Sequence, residues 1–298
     1  MNVTVGFIGL GIMGAPMALN LLRGGYPLWV HDRRAEAAAP LAAAGARVCS
    51  SAEEAARPAD VVFLMVADTA EVEEAVLGPA GVVAGAKPGT AVVVTTTTSP
   101  EASRRLADTL ASRGVELLDA PVSGSEADAA SGSLTVMAGG RPEGFARVKP
   151  LLERLGSVVH VGPAGSGQLA KGCNQIVATL ALEGVAEAFA FARQNGVDPV
   201  KVREALLGGF AASAVLAAQG KRMLAEDFRP GFKARLHGEE LGLVLETARR
   251  AGFALPGSAL AAQHINALAG GAGGELDSSA LIRVIERMNS RAKKGEEQ

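Results

Sequence analysis

Gly6-Phe7-Ile8-Gly9-Leu10-Gly11-Ile12-Met13-Gly14 decides the fold. The stretch ends an apolar run containing Val3, Val5, Phe7 and Ile8 in a G-x-G-x-x-G turn, after which Met17, Ala18, Leu21 and Leu22 recur at helical spacing. Strand, tight turn and helix in that order put bare backbone N–H groups at a helix N-terminus, where a pyrophosphate binds. Gly9 permits the turn, Gly11 lets backbone approach the phosphates, Gly14 lets helix pack on strand, and Leu10, Ile12 and Met13 complete the loop. A second strand, Pro27-Leu28-Trp29-Val30, ends in His31-Asp32. That acid lies close to the separation at which a ribose contact is made. A Gly-rich turn alone is a weak signal. The strand before it, the helix after it and the acid beyond it favour a dinucleotide site over an ordinary turn.

With 298 residues the chain has length for two domains and a large core. It is 48% hydrophobic and 20% charged, the balance of a globular protein. A net charge of −2 supplies no field for nucleic acid, and no Lys/Arg stripe stands out. Residues 1–8 lack a positive n-region and no apolar run looks long enough to span a bilayer, so the expectation is a cytoplasmic protein without a membrane partner. Cys49 and Cys173, far apart, read as free thiols. His31, His160, His237 and His264 form no metal-ligand spacing with one another or with Cys, so no metal is expected. The tail from Arg291 to Gln298 reads as a solvated end.

Residues 1–162 alternate short apolar strands (3–8, 27–31, 46–49, 60–66, 90–95, 115–119, 134–138, 157–161) with amphipathic helices, the pattern of an α/β fold with a Rossmann-type, doubly wound parallel sheet. Ligands of such sheets bind beyond the carboxyl ends of the strands. The loops after strands 60–66, 90–95 and 115–119 are therefore informative. The breaker cluster Gly162-Pro163-Ala164-Gly165-Ser166-Gly167 ends the alternation. Beyond it, 163–298 shows helical periods only, beginning with a long Ala-rich connecting helix over 163–195 that stops at Asn195-Gly196. An all-helical second domain joined by a long helix follows. Such a helix often packs on a second subunit, so a homodimer or homotetramer is expected.

Two further segments carry chemistry. Asp119-Ala120-Pro121-Val122-Ser123-Gly124-Ser125 ends the sixth strand, where a Ser-Gly turn offers a hydroxyl and N–H groups to a carboxylate; from spacing alone it could equally be an ordinary turn. On the long helix Lys171, Asn174 and Gln175 fall at i, i+3 and i+4 and share a face. A lysine there can give a proton to a carbonyl oxygen, and a neighbouring carboxamide can hold a substrate hydroxyl. The alternative is a surface lysine with its stem laid on apolar neighbours. Gly167 and Gly172 favour the first reading, because small residues let a ligand approach closely.

Taken together, Gly-Leu-Gly-Ile-Met-Gly at 9–14, Asp-Ala-Pro-Val-Ser-Gly at 119–124, Gly-x-x-x-Lys-x-x-Asn at 167–174 and the helical second half resemble the β-hydroxyacid dehydrogenase family, which includes 3-hydroxyisobutyrate and 6-phosphogluconate dehydrogenases. The four blocks occur in family order and cover nearly the whole chain. Asn174-Gln175, Gly208-Gly209-Phe210, Phe228-Arg229-Pro230-Gly231-Phe232 and Leu236-His237 look like the branch that reduces tartronate semialdehyde. The resemblance implies an NAD(P)-dependent oxidoreductase acting on a small carboxylate-bearing 3-hydroxy acid or its semialdehyde. It implies Lys171 as general acid, Ser123 and Gly124 on the substrate carboxylate, and Asn174 and Gln175 orienting the substrate. Val66, Asp68 and Thr96 would lie in loops flanking the cofactor. Asp32 favours NAD, whereas Arg33 and Arg34 would suit the 2′-phosphate of NADP. Succinic semialdehyde, glyoxylate and 3-hydroxyisobutyrate are the alternative substrates. Imine reduction is disfavoured by Lys171, and a non-catalytic nucleotide-binding protein by Lys171 with Ser123.

The chain departs from the branch in several places. Glu239-Glu240 stands where the branch has Lys-Asp, Ala67 replaces a Pro, Ser125 replaces the second Gly of a Ser-Gly-Gly turn, and Val94-Thr95 stands where an Asp is common. Glu239 cannot hold a cofactor as the family's Lys would, so either both acids turn away or cofactor affinity differs.

Overall fold

The structure is a computed structural model that describes residues 3–290; the tail from Arg291 lies outside the described residues. The chain divides into two compact units, Met1–Lys171 and Gly172–Gln298, and the helix Ser166–Gln194 runs through the division.

Among its described residues the first unit holds nine strands: β1 Val5–Ile8, β2 Leu28–His31, β3 Arg47–Val48, β4 Val61–Leu64, β5 Ala91–Val94, β6 Glu116–Asp119, β7 Val122–Ser123, β8 Leu134–Gly139 and β9 Gly156–Gly162. Their order is β3-β2-β1-β4-β5-β6-β8-β7, with β9 paired to β8. The sheet is parallel from β3 through β6, with Ile8 opposite both His31 and Leu64, and Val94 opposite Asp119. β1, β4 and β5 are buried at every position, as central strands covered on both faces must be. One face is packed by Leu10, Met17, Leu21, Leu41 and Leu152 around the stacked rings of Phe7 and Phe63; the other is packed by Val72, Val76, Leu106 and Leu110.

The parallel expectation needs one correction. β8 runs antiparallel to both β6 and β7. Pro121 lies between β6 and β7, and only β7 and the six-residue helix Glu126–Ser131 separate β6 from β8. β7 turns the chain onto β8, with Val122 opposite Val136 and Ser123 opposite Thr135, and so reverses the direction at this edge. β7 itself, two residues long, lacks the period that would reveal it in sequence.

The second unit is all-helical among its described residues: Pro199–Leu207, Ala214–Ala225, Ala234–Arg250, Pro256–Ala269 and Ile282–Asn289 follow the long helix, with short 3-10 turns before the last. Pro199 and Pro256 open their helices, where a missing N–H costs nothing. Leu182, Ala186 and Phe189 of the long helix pack with Leu216, Met223, Ile265, Leu281 and Ile285. The expectation that no apolar run could span a bilayer is corrected by this helix: its 29 residues are long and apolar enough by length and composition alone. Ala raises its average without forming a continuous run of large apolar residues. Along it Lys171, Gln175, Thr179 and Glu183 recur every fourth residue, all at least nine-tenths buried. A buried polar stripe of this kind belongs to a core helix with partners, not to a lipid-facing one.

Candidate active site

The strand order reverses direction between β1 and β4, so a crevice opens beyond the carboxyl ends of these strands. The residues expected at a cofactor gather there. Gly9 adopts φ +91°, and a Cβ on it would stand 2.2 Å from the Met65 carbonyl oxygen beyond β4. A Cβ on Gly14 would meet the Gly9 carbonyl oxygen at 2.0 Å, so the helix Gly14–Arg23 can start this close to β1 only with glycine. A Cβ on Gly11 would meet nothing within 4 Å. That position faces open space and matches a backbone surface offered to a pyrophosphate. Met13 caps the helix without a side-chain hydrogen bond, so the first-turn N–H groups have no capping side chain competing with an anion. Leu10 and Ile12 flank the turn, buried and exposed respectively. The residues present fit a dinucleotide.

Asp32 follows β2 and is tied to this turn. One carboxylate oxygen accepts the Leu10 N–H at 2.7 Å, the other the Arg34 N–H at 2.8 Å. Partial burial opposes its ionisation, but these amides and the Arg34 guanidinium prevail and hold the carboxyl below its usual range. Arg33 pairs with Glu71, which also accepts the Ala67 N–H, so one carboxylate ties the loop after β2 to the loop after β4. Asp68 N-caps the helix Thr69–Leu77 by accepting the Glu71 N–H. Thr96 accepts the Val66 N–H at 2.9 Å. Thr95, standing where an acid is common, donates from its buried hydroxyl to the Leu64 carbonyl and serves the sheet.

Ser123 lies in β7, paired with Thr135, and Gly124 follows with φ +144°. Ser125 has acquired a role that glycine lacks. Its side chain accepts the Asp128 N–H while Asp128 accepts the Ser125 N–H, a complete capping box for Glu126–Ser131.

The start of the long helix is set by Asp119, Gln168 and Gly167, in roles that spacing alone did not reveal. Asp119, fully buried at the end of β6, accepts the N–H groups of Gly165 and Gln168 at 2.7 and 2.9 Å. Gln168 in turn accepts the Thr98 N–H and donates to the Thr96 carbonyl. A Cβ on Gly167 would lie 2.4 Å from the carbonyl oxygens of both Asp119 and Met137, so the helix begins in contact with the sheet edge. Lys171 sits one turn further on, 8% exposed.

In the second unit the Gln175 amide N–H donates to Glu240 at 2.6 Å, and Asn174 donates to the Gln175 carbonyl oxygen at 2.9 Å. Thr179 and His237 share a buried hydrogen bond of 2.7 Å, and Phe232 packs tilted on the His237 ring. The loop carrying Phe232 is fixed by buried Asp277, which accepts the N–H groups of Gly231 and Phe232. Glu239, the departure that would have opposed a cofactor, is exposed and faces Arg235 of its own helix. Of the two acids it is Glu240 that joins the helix-face residues. Neither Glu240 nor Asp277 carries a local motif that announces its partner; both act over more than forty residues.

Comparison with known proteins agrees with this architecture. Residues 4–162 match the family model for the NAD binding domain of 6-phosphogluconate dehydrogenase, and 165–285 match that for the NAD-binding region of NADP-dependent 3-hydroxyisobutyrate dehydrogenase. The chain is 42% identical over 285 residues to 2-hydroxy-3-oxopropionate reductase of Escherichia coli, covering 95% of this chain and 97% of that one. It is 39% identical over 265 residues to the NAD-dependent L-serine dehydrogenase of Pseudomonas aeruginosa, covering 86% and 89%. Among solved structures, a Mycobacterium tuberculosis 3-hydroxyisobutyrate dehydrogenase with L-serine superimposes with a TM-score of 0.87 at 32% identity, covering 96% of this chain and 99% of that one. The chain therefore belongs to the 3-hydroxyisobutyrate dehydrogenase family and is an NAD(P)-dependent hydroxyacid oxidoreductase.

Proposed function

We propose that the protein reduces a short 3-oxo carboxylate to the 3-hydroxy acid, with 2-hydroxy-3-oxopropionate as substrate and glycerate as product. The observation that carries this reading is Lys171, a lysine almost wholly withdrawn from water at the head of the long helix's buried polar stripe. In such surroundings an ammonium acts strongly on a charge developing beside it. The nicotinamide ring, when bound, supplies the hydride. Lys171 stabilises the negative charge growing on the carbonyl oxygen and gives that oxygen its proton. The Ser123 hydroxyl and the Gly124 N–H hold the substrate carboxylate, and Asn174 with Gln175 orients the rest of the molecule. Gly9 to Gly14 hold the pyrophosphate. Asp32 accepts from the adenosine ribose, Val66, Asp68 and Thr96 form the cofactor's flanking loops, and Arg33 is engaged by Glu71.

NAD is the preferred cofactor on this reading, because an ionised Asp32 beside the ribose repels a 2′-phosphate. A second reading comes from the relatives that act on or hold L-serine, which differs from glycerate by an amino group at C2. Both are tested by one panel: 2-hydroxy-3-oxopropionate, succinic semialdehyde and glyoxylate with NADH and with NADPH, and glycerate, 3-hydroxyisobutyrate and L-serine with the oxidised cofactors. The expected result is the highest kcat/KM for 2-hydroxy-3-oxopropionate with NADH. A preference for L-serine would replace the substrate, and a strong preference for NADPH would reverse the assignment of Asp32.

A homodimer or homotetramer in the cytoplasm completes the proposal. Assembly is supported by Val177 and Phe191 on the long helix and Met288 on the last described helix, which are 69%, 74% and 64% exposed. Sedimentation velocity at micromolar concentration should show no monomer; a monomer of about 30 kDa would exclude assembly through this face.

A further inference from the structure

We infer that Glu71 is a positioning residue for cofactor choice: by holding the Arg33 guanidinium it keeps that cation from the 2′-phosphate of NADPH. The inference rests on the reading above, in which Asp32 meets the adenosine ribose. An arginine near the ribose-binding acid is the group that accommodates a 2′-phosphate in sheets of this kind. This chain has two, Arg33 and Arg34, directly after Asp32. Both already face a carboxylate. Arg34 pairs with Asp32 itself, and Arg33 pairs with Glu71. The second pairing is the informative one. Its acid comes from another loop, 38 residues on, and from outside the cofactor motifs.

Glu71 is held by its own loop, independently of Arg33. Its backbone N–H donates to Asp68 at 2.8 Å, and one of its carboxylate oxygens accepts the Ala67 N–H at 3.0 Å. These two bonds close the start of the helix Thr69–Leu77 in the manner of a capping box, with the returning bond displaced by one residue. The other carboxylate oxygen takes the Arg33 guanidinium. Exposure separates the two partners: the Glu71 side chain is 29% exposed and that of Arg33 78%. The acid is thus the fixed member of the pair and the arginine the one that swings. An exposed ion pair is weak when both side chains must be ordered to make it. Here the helix start has already ordered one of them, so less entropy is lost and the pairing persists. A phosphate that draws on Arg33 has to displace Glu71 first. Asp32 repels the phosphate and Glu71 withholds its counter-ion, two effects of the same sign from different loops.

The test is to measure Kd for NADH and for NADPH, from the fluorescence of the reduced ring and without substrate, in the parent, Glu71→Gln, Arg33→Ala and the double variant. Glutamine keeps an oxygen for the Ala67 N–H, which turns its NH2 group, a donor, toward Arg33 and ends the pairing. Glu71→Gln should tighten NADPH binding about three- to tenfold, as a released arginine gains a charge-assisted bond to phosphate, and change NADH binding less than about twofold. In the Arg33→Ala background the same substitution should tighten NADPH less than about twofold, since the cation it releases is gone. An NADPH affinity unchanged by Glu71→Gln would overturn the inference. So would an equal gain with and without Arg33, which would mean that Glu71 acts through its own charge. Equal changes for both cofactors would reduce Glu71 to a brace for its loop and overturn it as well. Failure of the underlying reading looks different: the parent would bind NADPH at least as tightly as NADH before any substitution, and the inference would fall with it.

Discussion

Lys171→Ala should lower kcat/KM for 2-hydroxy-3-oxopropionate by about 100- to 10,000-fold, the span that a positioned proton donor contributes. The loss should fall mainly on kcat, because the ammonium is needed most when charge has built up on the carbonyl oxygen. Affinity for NADH, followed by the fluorescence of the reduced ring, should change little. Alanine suits an alanine-rich helix, and far-UV circular dichroism should show the variant folded; small primary amines added to the assay should restore part of the rate. A variant that reduces the semialdehyde at the parental rate would remove Lys171 from the chemistry. It would also remove the observation on which the substrate assignment depends.

Asp119→Ala should be the most destabilising single change outside the hydrophobic core. It strips the buried amides of Gly165 and Gln168 of their acceptor at the point where the long helix begins. Two buried donors without partners cost roughly 3 kcal/mol or more together. For a unit of this size that is about 10 °C in melting temperature. Asp119→Asn keeps one acceptor oxygen and should lose about half as much. The dependence on pH has a definite sign. Burial pushes the Asp119 carboxyl above its usual range, and the amides of Gly165 and Gln168 only partly offset it. A carboxyl with a raised folded pKa contributes its stability fully below the unfolded value near ~3.9, and that contribution is lost as pH rises through the folded value. The advantage of the parent over Asp119→Asn should therefore widen as pH falls from neutral toward 4. A difference in melting temperature that narrows instead, or an alanine variant as stable as the parent, would show that the cap is not set by this carboxylate.

The architecture was largely legible in the sequence, because its two periods are strong and local. The βαβ rhythm of the first unit, the breaker cluster at Gly162 to Gly167 and the helical spacing beyond it all follow from residues a few positions apart. So does the turn from Gly9 to Gly14. What escaped were features decided at a distance or by very few residues. β7 is too short to show a period, and its pairing with β8 comes from the compact return after Pro121. The length and apolarity of the helix Ser166–Gln194 were underrated because alanine and glycine spread them over eight turns. At the candidate site, the motifs supplied Arg33, Thr96 and Gln175, but not the residues that hold them. Glu71, Gln168 and Glu240 reach partners 38, 70 and 65 residues away, and no spacing rule predicts such pairs. Conversely, Ser125 reads in sequence as a lost glycine, and the fold turns it into a helix cap.

The anchoring of the long helix on Asp119 also decides where the protein can be cut. Ending an expressed fragment at the glycine-rich punctuation around residue 162 would discard the amides that solvate a carboxyl group sealed inside the sheet, leaving a buried acid without its donors. A nucleotide-binding piece intended for crystallisation or ligand titration has to retain the opening turn of the following rod, through Gln168 at least, even though that turn reads in the sequence as the property of the other half.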